Sequence, residues 1–222
     1  MKTAFLLALL IIGCDYTEHP DPVAQSIYSA SITLGGVGCS MLRDVFDPGI
    51  KNNVPEYSAW QKKTSSGNKA LVKYTGKGVE EWGTGNNHAY MGFNNGFLEW
   101  GASHILFITC INEDYIANGV DYYVDHMRFI EAEMQSRAPG VPVYVIGQAA
   151  YSEGICDIIG PIGAEFSQEL ADMAVDSTSM VDPGFRLPPI TEAERKRPGD
   201  CHVNTLGAAS QAYAIKAWLD SL

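Results

Sequence analysis

Basic charge is scarce in this chain. Its 222 residues carry 15 lysines and arginines against 26 aspartates and glutamates, for a formal charge of −11 and a pI near 4.8. A nucleic-acid binder needs a basic face to displace counterions, and no such face is visible. The short basic run Arg195–Arg197 reads as a solvated loop face. Long apolar runs are also missing: Ala4–Ile12 is too short to span a bilayer as a stable helix. No two cysteines have the CxxC spacing of a zinc site. There is no internal repeat and no long low-complexity tract. No strongly apolar lid segment appears, so nothing favours a long-chain lipid substrate.

What is present begins at the N-terminus. Lys2 supplies a small positive region ahead of the apolar Ala4–Ile12. The run ends Ile11-Ile-Gly-Cys14, which resembles the lipobox of bacterial lipoproteins. That resemblance implies a signal peptide over 1–13, cleavage before Cys14, and a lipid on its sulfur. The protein would be exported and anchored to a bacterial membrane, facing the periplasm or the cell exterior. Residues 14–28 are polar, carry Pro20 and Pro22, and read as a tether to a domain over 29–222. Cys39, Cys110, Cys156 and Cys201 remain, and an exported protein can oxidise them; four cysteines allow three pairings.

Within the domain, strand patterns alternate with helical ones. Ile32–Val37 is an apolar, β-rich run ending in glycines, and Met41–Phe46 is helical in pattern. The sequence predicts a short helix over Val54–Lys63 and a strand over Ala70–Tyr74. His104–Cys110 is continuously apolar, as a strand buried on both faces should be. A helix follows from Gly119 to Arg137, then a buried strand over Val141–Ile146, a helix over Glu165–Val175, and a closing helix over Thr205–Leu222. Such alternation implies an α/β fold with a mainly parallel sheet and helices on both faces, a three-layer α/β/α sandwich. Right-handed crossovers line up the strand carboxyl ends along one edge, where ligands bind.

That edge collects the residues with chemistry. Ser40 follows the first strand as a candidate nucleophile. A serine hydroxyl needs a neighbouring base, usually histidine, and donors aimed at the developing oxyanion. The candidate base is His202, in a loop leading into the final helix; His19, His88, His104 and His126 read as structural. Asp200, two residues before His202, can hold the imidazole. Gly78 offers an unobstructed backbone N–H and Asn112 a side-chain amide. With the Ser40 N–H they would form an oxyanion hole.

Ser, Gly, Asn and His in this order resemble the SGNH (GDSL-like) hydrolase superfamily. Gly38-Cys-Ser40 stands where the family has Gly-Asp-Ser, Gly78 at its isolated glycine, Cys110-Ile-Asn-Glu113 for Gly-x-Asn-Asp, and Asp200-Cys-His202 for Asp-x-x-His. His202–Gly207 matches the usual continuation. Gly78–Trp82 and Gly38–Met41 look most like carbohydrate O-acetylesterases of the sialate esterase type. The Asp-to-His spacing is one residue short, so Asp182, Glu194 or a Ser-His dyad are alternatives to Asp200. The resemblance implies a serine esterase acting on short acyl esters, acetyl above all, of a carbohydrate. It implies an acyl-enzyme on Ser40 and no metal or organic cofactor. Two rivals are a nucleotide-binding turn at Gly35–Gly38, which lacks the third glycine of a dinucleotide fingerprint where Met41 stands, and a lipid-anchored, non-catalytic protein presenting Trp82, Tyr90 and Trp100 to glycans. A pseudoenzyme on the same fold is a variant of the second.

Overall fold

The continuous apolar run predicted as a buried strand becomes the centre of a parallel sheet. The computed structural model describes residues 34–53, 79–85, 90 and 102–222. The helix expected over 54–63 and the strand expected over 70–74 lie outside these residues, as do the signal and tether segments. Among the described residues three strands pair in the order β1 (Leu34–Val37), β2 (His104–Thr109) and β3 (Val143–Gly147). Leu34 is opposite His104 and Ile105 opposite Val143, both ladders being parallel. The protein is therefore α/β.

Seven α-helices are described: α1 (Ser40–Asp44), α2 (Lys51–Asn53), α3 (Val79–Gly83), α4 (Glu113–Ile116), α5 (Val124–Arg137), α6 (Gly163–Ser177) and α7 (Thr205–Leu219). The helix predicted from Gly119 opens with a 3-10 turn over Val120–Tyr123, where Gly119 has φ of 77°. Helices α6 and α7 lie within two or three residues of their expected ends, whereas the short α2, α3 and α4 are not among the predicted elements. Helix α1 does not stop at Asp44 but widens into π-helical turns over Val45–Ile50.

Strand alternation divides the core in two. Ile105 and Phe107 of β2 pack with Met127, Ile130 and Met134 of α5, Leu170 of α6 and Trp82 of α3. Leu106 and Ile108 point the other way, to Val45, Phe46 and the α7 residues Ala212, Ile215 and Trp218. A strand buried on both sides needs apolar residues at every position, which is why β2 shows no polar alternation. Burying each such large side chain is worth about 1.5–3 kcal/mol, so the two clusters fix β2 firmly.

Two features aim the carboxyl end of β2. Thr109 Oγ1 donates to the Ser167 carbonyl at 2.6 Å, and Ser167 Oγ donates to the Thr109 carbonyl at 2.5 Å. The Gln148 N–H then donates to Ser167 Oγ at 2.8 Å. The ends of β2 and β3 are thereby held on α6 through hydrogen bonds that no water can contest. Residues Ile32–Leu222 form one compact unit by themselves. Among the described residues no helix is long and apolar enough to cross a membrane.

Candidate active site

The glycines after β1 serve packing and turning. A Cβ on Gly36 would stand 2.6 Å from the tip of the Phe46 ring, so the glycine leaves room for that ring against the strand. Gly38 has φ of 153°, a conformation side chains disfavour, and it turns the chain off the sheet. Cys39 then caps α1, and Ser40 is the first residue of the helix. Its N–H is among those a helix start leaves without an intrahelical partner. The missing Cβ of Gly36 would face the Phe46 ring and that of Gly38 the Ile108 backbone, so both glycines serve close packing.

One helical turn after Ser40, Asp44 emerges on the same side of the helix. It is only 4% exposed. The loop before α7 brings His202 between them. Ser40 Oγ lies 3.3 Å from His202 Nε2, and His202 Nδ1 lies 2.5 Å from Asp44 Oδ2. Lys196 Nζ donates to both Asp44 oxygens at 3.0 Å. Burial alone would raise the Asp44 carboxyl. The hydrogen bonds from His202 and Lys196, with their charges, outweigh it and hold the group below the ordinary aspartate value. An ionised carboxylate can only accept, so Nδ1 carries the imidazole proton and Nε2 offers its lone pair to the serine hydroxyl.

Asp200, expected to hold the imidazole, does not. Its Oδ1 accepts the backbone N–H of His202 at 2.9 Å, and its Oδ2 pairs with Arg197 at 3.3 Å. At two-residue spacing an aspartate readily bonds the backbone ahead of it as an Asx turn, and that local bond wins here. Of the alternatives, Asp182 accepts from Arg186 at 2.9 Å and Glu194 closes a capping box with Thr191. Of the basic run, Lys196 and Arg197 are exposed as expected, but Arg195 is not. Arg195 is 4% exposed, donates to the Ile155 and Glu153 carbonyls at 2.9 and 2.6 Å, and lies 4.4 Å over the Tyr151 ring.

The His202 loop is tightly tied. Lys196 N–H donates to the His202 carbonyl at 3.0 Å and Asn204 N–H to the Glu194 carbonyl at 2.7 Å. Asn204 Oδ1 caps α7 by accepting from the N–H groups of Leu206 and Gly207. Its amide also donates to the Ala193 and Arg195 carbonyls. Tyr151 Oη donates to the Cys201 carbonyl at 2.9 Å, and burial pushes its phenol up to about 12.

Both cystines adjoin the site. Cys39 pairs with Cys110, tying the residue before Ser40 to the end of β2. Cys156 pairs with Cys201, tying the residue before His202 to the segment after β3. Of the three pairings left open by the sequence, this is the one formed.

The resulting open cleft, about 510 Å³ including space continuous with solvent, is lined by Ser40, His202, Asn112, Met41, Ile158 and Ile159, with Cys39, Cys110, Ile111 and Cys201. Asn112 precedes α4, and among the described residues no hydrogen bond engages its amide. Gly78 and Cys14 lie outside the described residues. The four other histidines stand apart from this group where described: His104 stacks on Tyr144 at 5.9 Å, and His126 Nε2 is 3.5 Å from Glu80. Trp82 and Tyr90 are 2% and 4% exposed and meet edge to face at 5.1 Å, which makes them core rather than a sugar platform; Trp100 lies outside the described residues. Among the described residues no group of three or more His, Cys, Asp or Glu side chains could hold a metal ion.

Sequence reasoning missed Asp44 and Lys196. The signal for Asp44 was available: it follows Ser40 by four residues within a segment of helical pattern. Lys196 had no comparable signal. No protein-family model, curated protein or solved structure matches the chain.

Proposed function

We propose that this protein is a serine ester hydrolase of SGNH type, with Ser40 as nucleophile, His202 as base and Asp44 as the orienting acid. The observation that carries this reading is the pair of contacts on one imidazole, Ser40 Oγ at 3.3 Å and Asp44 Oδ2 at 2.5 Å. Such a relay supplies what an isolated serine lacks, a base with its lone pair held toward the hydroxyl. Ser40 attacks the ester carbonyl as His202 takes its proton. The tetrahedral oxyanion is met by the Ser40 N–H and the Asn112 amide, and the family resemblance implies the Gly78 N–H as a third donor. His202 returns the proton to the leaving alcohol, and an acyl-enzyme forms. Water activated by His202 then releases the acid. Neither metal nor organic cofactor enters these steps.

The cleft lining supports an uncharged ester with a small acyl group. Its walls are isoleucine, methionine and cystine sulfur around three polar groups, and among the described residues no Asp, Glu, Lys or Arg lines it. An acetyl ester on a carbohydrate is the substrate class the family resemblance favours. The same resemblance supports a three-layer α/β/α arrangement, and the N-terminal motif supports export with a lipid on Cys14. The test is hydrolysis of p-nitrophenyl acetate by wild type and Ser40→Ala. Activity in the first and its loss in the second supports the reading. Equal activity in both removes Ser40 as the nucleophile, and no activity in either removes the reading and leaves a pseudoenzyme or a binding protein.

A further inference from the structure

Lys196 sits where a catalytic relay of serine, histidine and aspartate has no required member. Its ammonium bridges both oxygens of Asp44 at 3.0 Å. The carboxylate is nearly buried, whereas the lysine side chain is 45% exposed. The placement follows from the backbone. Arg195 forms an antiparallel bridge with Val203, and the Lys196 N–H donates to the His202 carbonyl at 3.0 Å. In extended chain, successive side chains point to opposite sides. Arg195 therefore turns inward to the 153–155 carbonyls, and Lys196 turns to the site. The segment that carries the lysine is the one paired to the segment that carries the base.

We infer that Lys196 is a positioning residue that clamps the Asp44 carboxylate and sets how strongly it draws a proton onto His202. The inference rests on the reading of Ser40, His202 and Asp44 as a hydrolytic relay. Two consequences follow. With both oxygens engaged, the carboxylate cannot rotate, so Oδ2 stays on Nδ1. With its charge partly met by the ammonium, Asp44 stabilises a protonated imidazole less than an unpaired carboxylate would.

The other charged groups around the imidazole are arranged differently. Arg43 of α1 comes only to 3.9 Å from Asp44 Oδ1. Asp200 bonds the His202 backbone and is paired to Arg197. The Asp157 carboxylate lies beside Gly199, and the Tyr151 hydroxyl bonds the Cys201 carbonyl. Among the described residues Lys196 is the cation in hydrogen-bond contact with the relay carboxylate. Its exposure keeps the effect moderate, since water screens part of the ammonium's field.

The test compares wild type, Lys196→Gln and Lys196→Arg by NMR titration of 13C-labelled histidine and by the pH profile of p-nitrophenyl acetate hydrolysis. In Lys196→Gln the His202 titration midpoint rises by about 0.5–1 pH unit, and the acid limb of kcat/KM moves with it. At the plateau, kcat falls by about fivefold or more with KM little changed. Lys196→Arg restores the wild-type midpoint. In wild type, the 15N signal of the Lys196 ammonium shifts with the same inflection as His202, a readout that needs no variant. A His202 midpoint unmoved in Lys196→Gln, or a Lys196 signal blind to the His202 titration, overturns the inference. Because the NMR readouts need no turnover, absence of esterase activity would overturn the functional reading alone.

Discussion

Ser40 and Asp44 stand one turn apart on the same short helix and meet opposite nitrogens of the same imidazole, at 3.3 and 2.5 Å. The proposed nucleophile and orienting acid thus share one short helix, and only the proposed base has to be delivered from elsewhere. The chain delivers it through a loop fastened by the Asn204 cap, the Asp200 turn and the Cys156–Cys201 cystine.

This division of labour separates two aspartates by mutation. Asp44→Asn leaves the shape but offers an amide to Nδ1, which favours the wrong tautomer; kcat/KM should fall by about 10³- to 10⁴-fold. Asp200→Asn weakens one backbone hydrogen bond, costing about 1 kcal/mol of stability and less than tenfold in kcat/KM. Steady-state kinetics of both variants with one ester checks the assignment. A severe loss in Asp200→Asn beside an active Asp44→Asn would return the acid's role to Asp200.

Asn112 should matter to the transition state and not to the fold. Among the described residues its amide has no hydrogen-bond partner, so Asn112→Ala removes no hydrogen bond to them. Losing one oxyanion donor costs about 10²-fold in kcat. Melting temperature within a degree or so of wild type, with kcat reduced and KM similar, is the expected pair of measurements. A variant with undiminished kcat would remove Asn112 from the oxyanion hole.

Asp44 also predicts an acid limit to stability. Burial raises its pKa, but the bonds from His202 and Lys196 more than offset this, so the folded value lies below the unfolded one. The sign follows directly. The stabilisation is complete above the unfolded aspartate value of about 3.9 and is lost as pH falls through the lower folded value. Calorimetric melting between about pH 2 and 5 should show a steeper acid decline in wild type than in Asp44→Asn. Parallel curves would mean that the carboxylate's partners contribute nothing to folding.

The cystines should support both stability and activity. They close separations of 71 and 45 residues, for which the chain-entropy relation gives roughly 4 kcal/mol each. Denaturant unfolding of the Cys156→Ser/Cys201→Ser variant should show a loss of this order, with reduced kcat because His202 follows Cys201 directly. An unchanged midpoint would show that the loop hydrogen bonds hold the base unaided.

Much of this was legible from residue pattern alone. The apolar run at 104–110 had to be buried on both faces, because every position would otherwise expose a large side chain. The glycines around Ser40 marked a turn off a strand. Ser40, Asn112 and His202 each followed a strand or preceded the last helix, and in a parallel sheet such positions share an edge.

Sequence by itself thus determined the parallel α/β layout and three residues of the cleft, since both follow from burial periodicity and strand direction. Tertiary structure alone decided which carboxylate reaches His202, which cysteines pair, and that Lys196 turns toward the relay. These depend on side-chain direction. Asp200 is nearer in sequence, but its carboxylate is taken by the adjacent N–H. Asp44 is distant, yet the helical repeat sets it beneath Ser40 and the packed loop brings the imidazole to it.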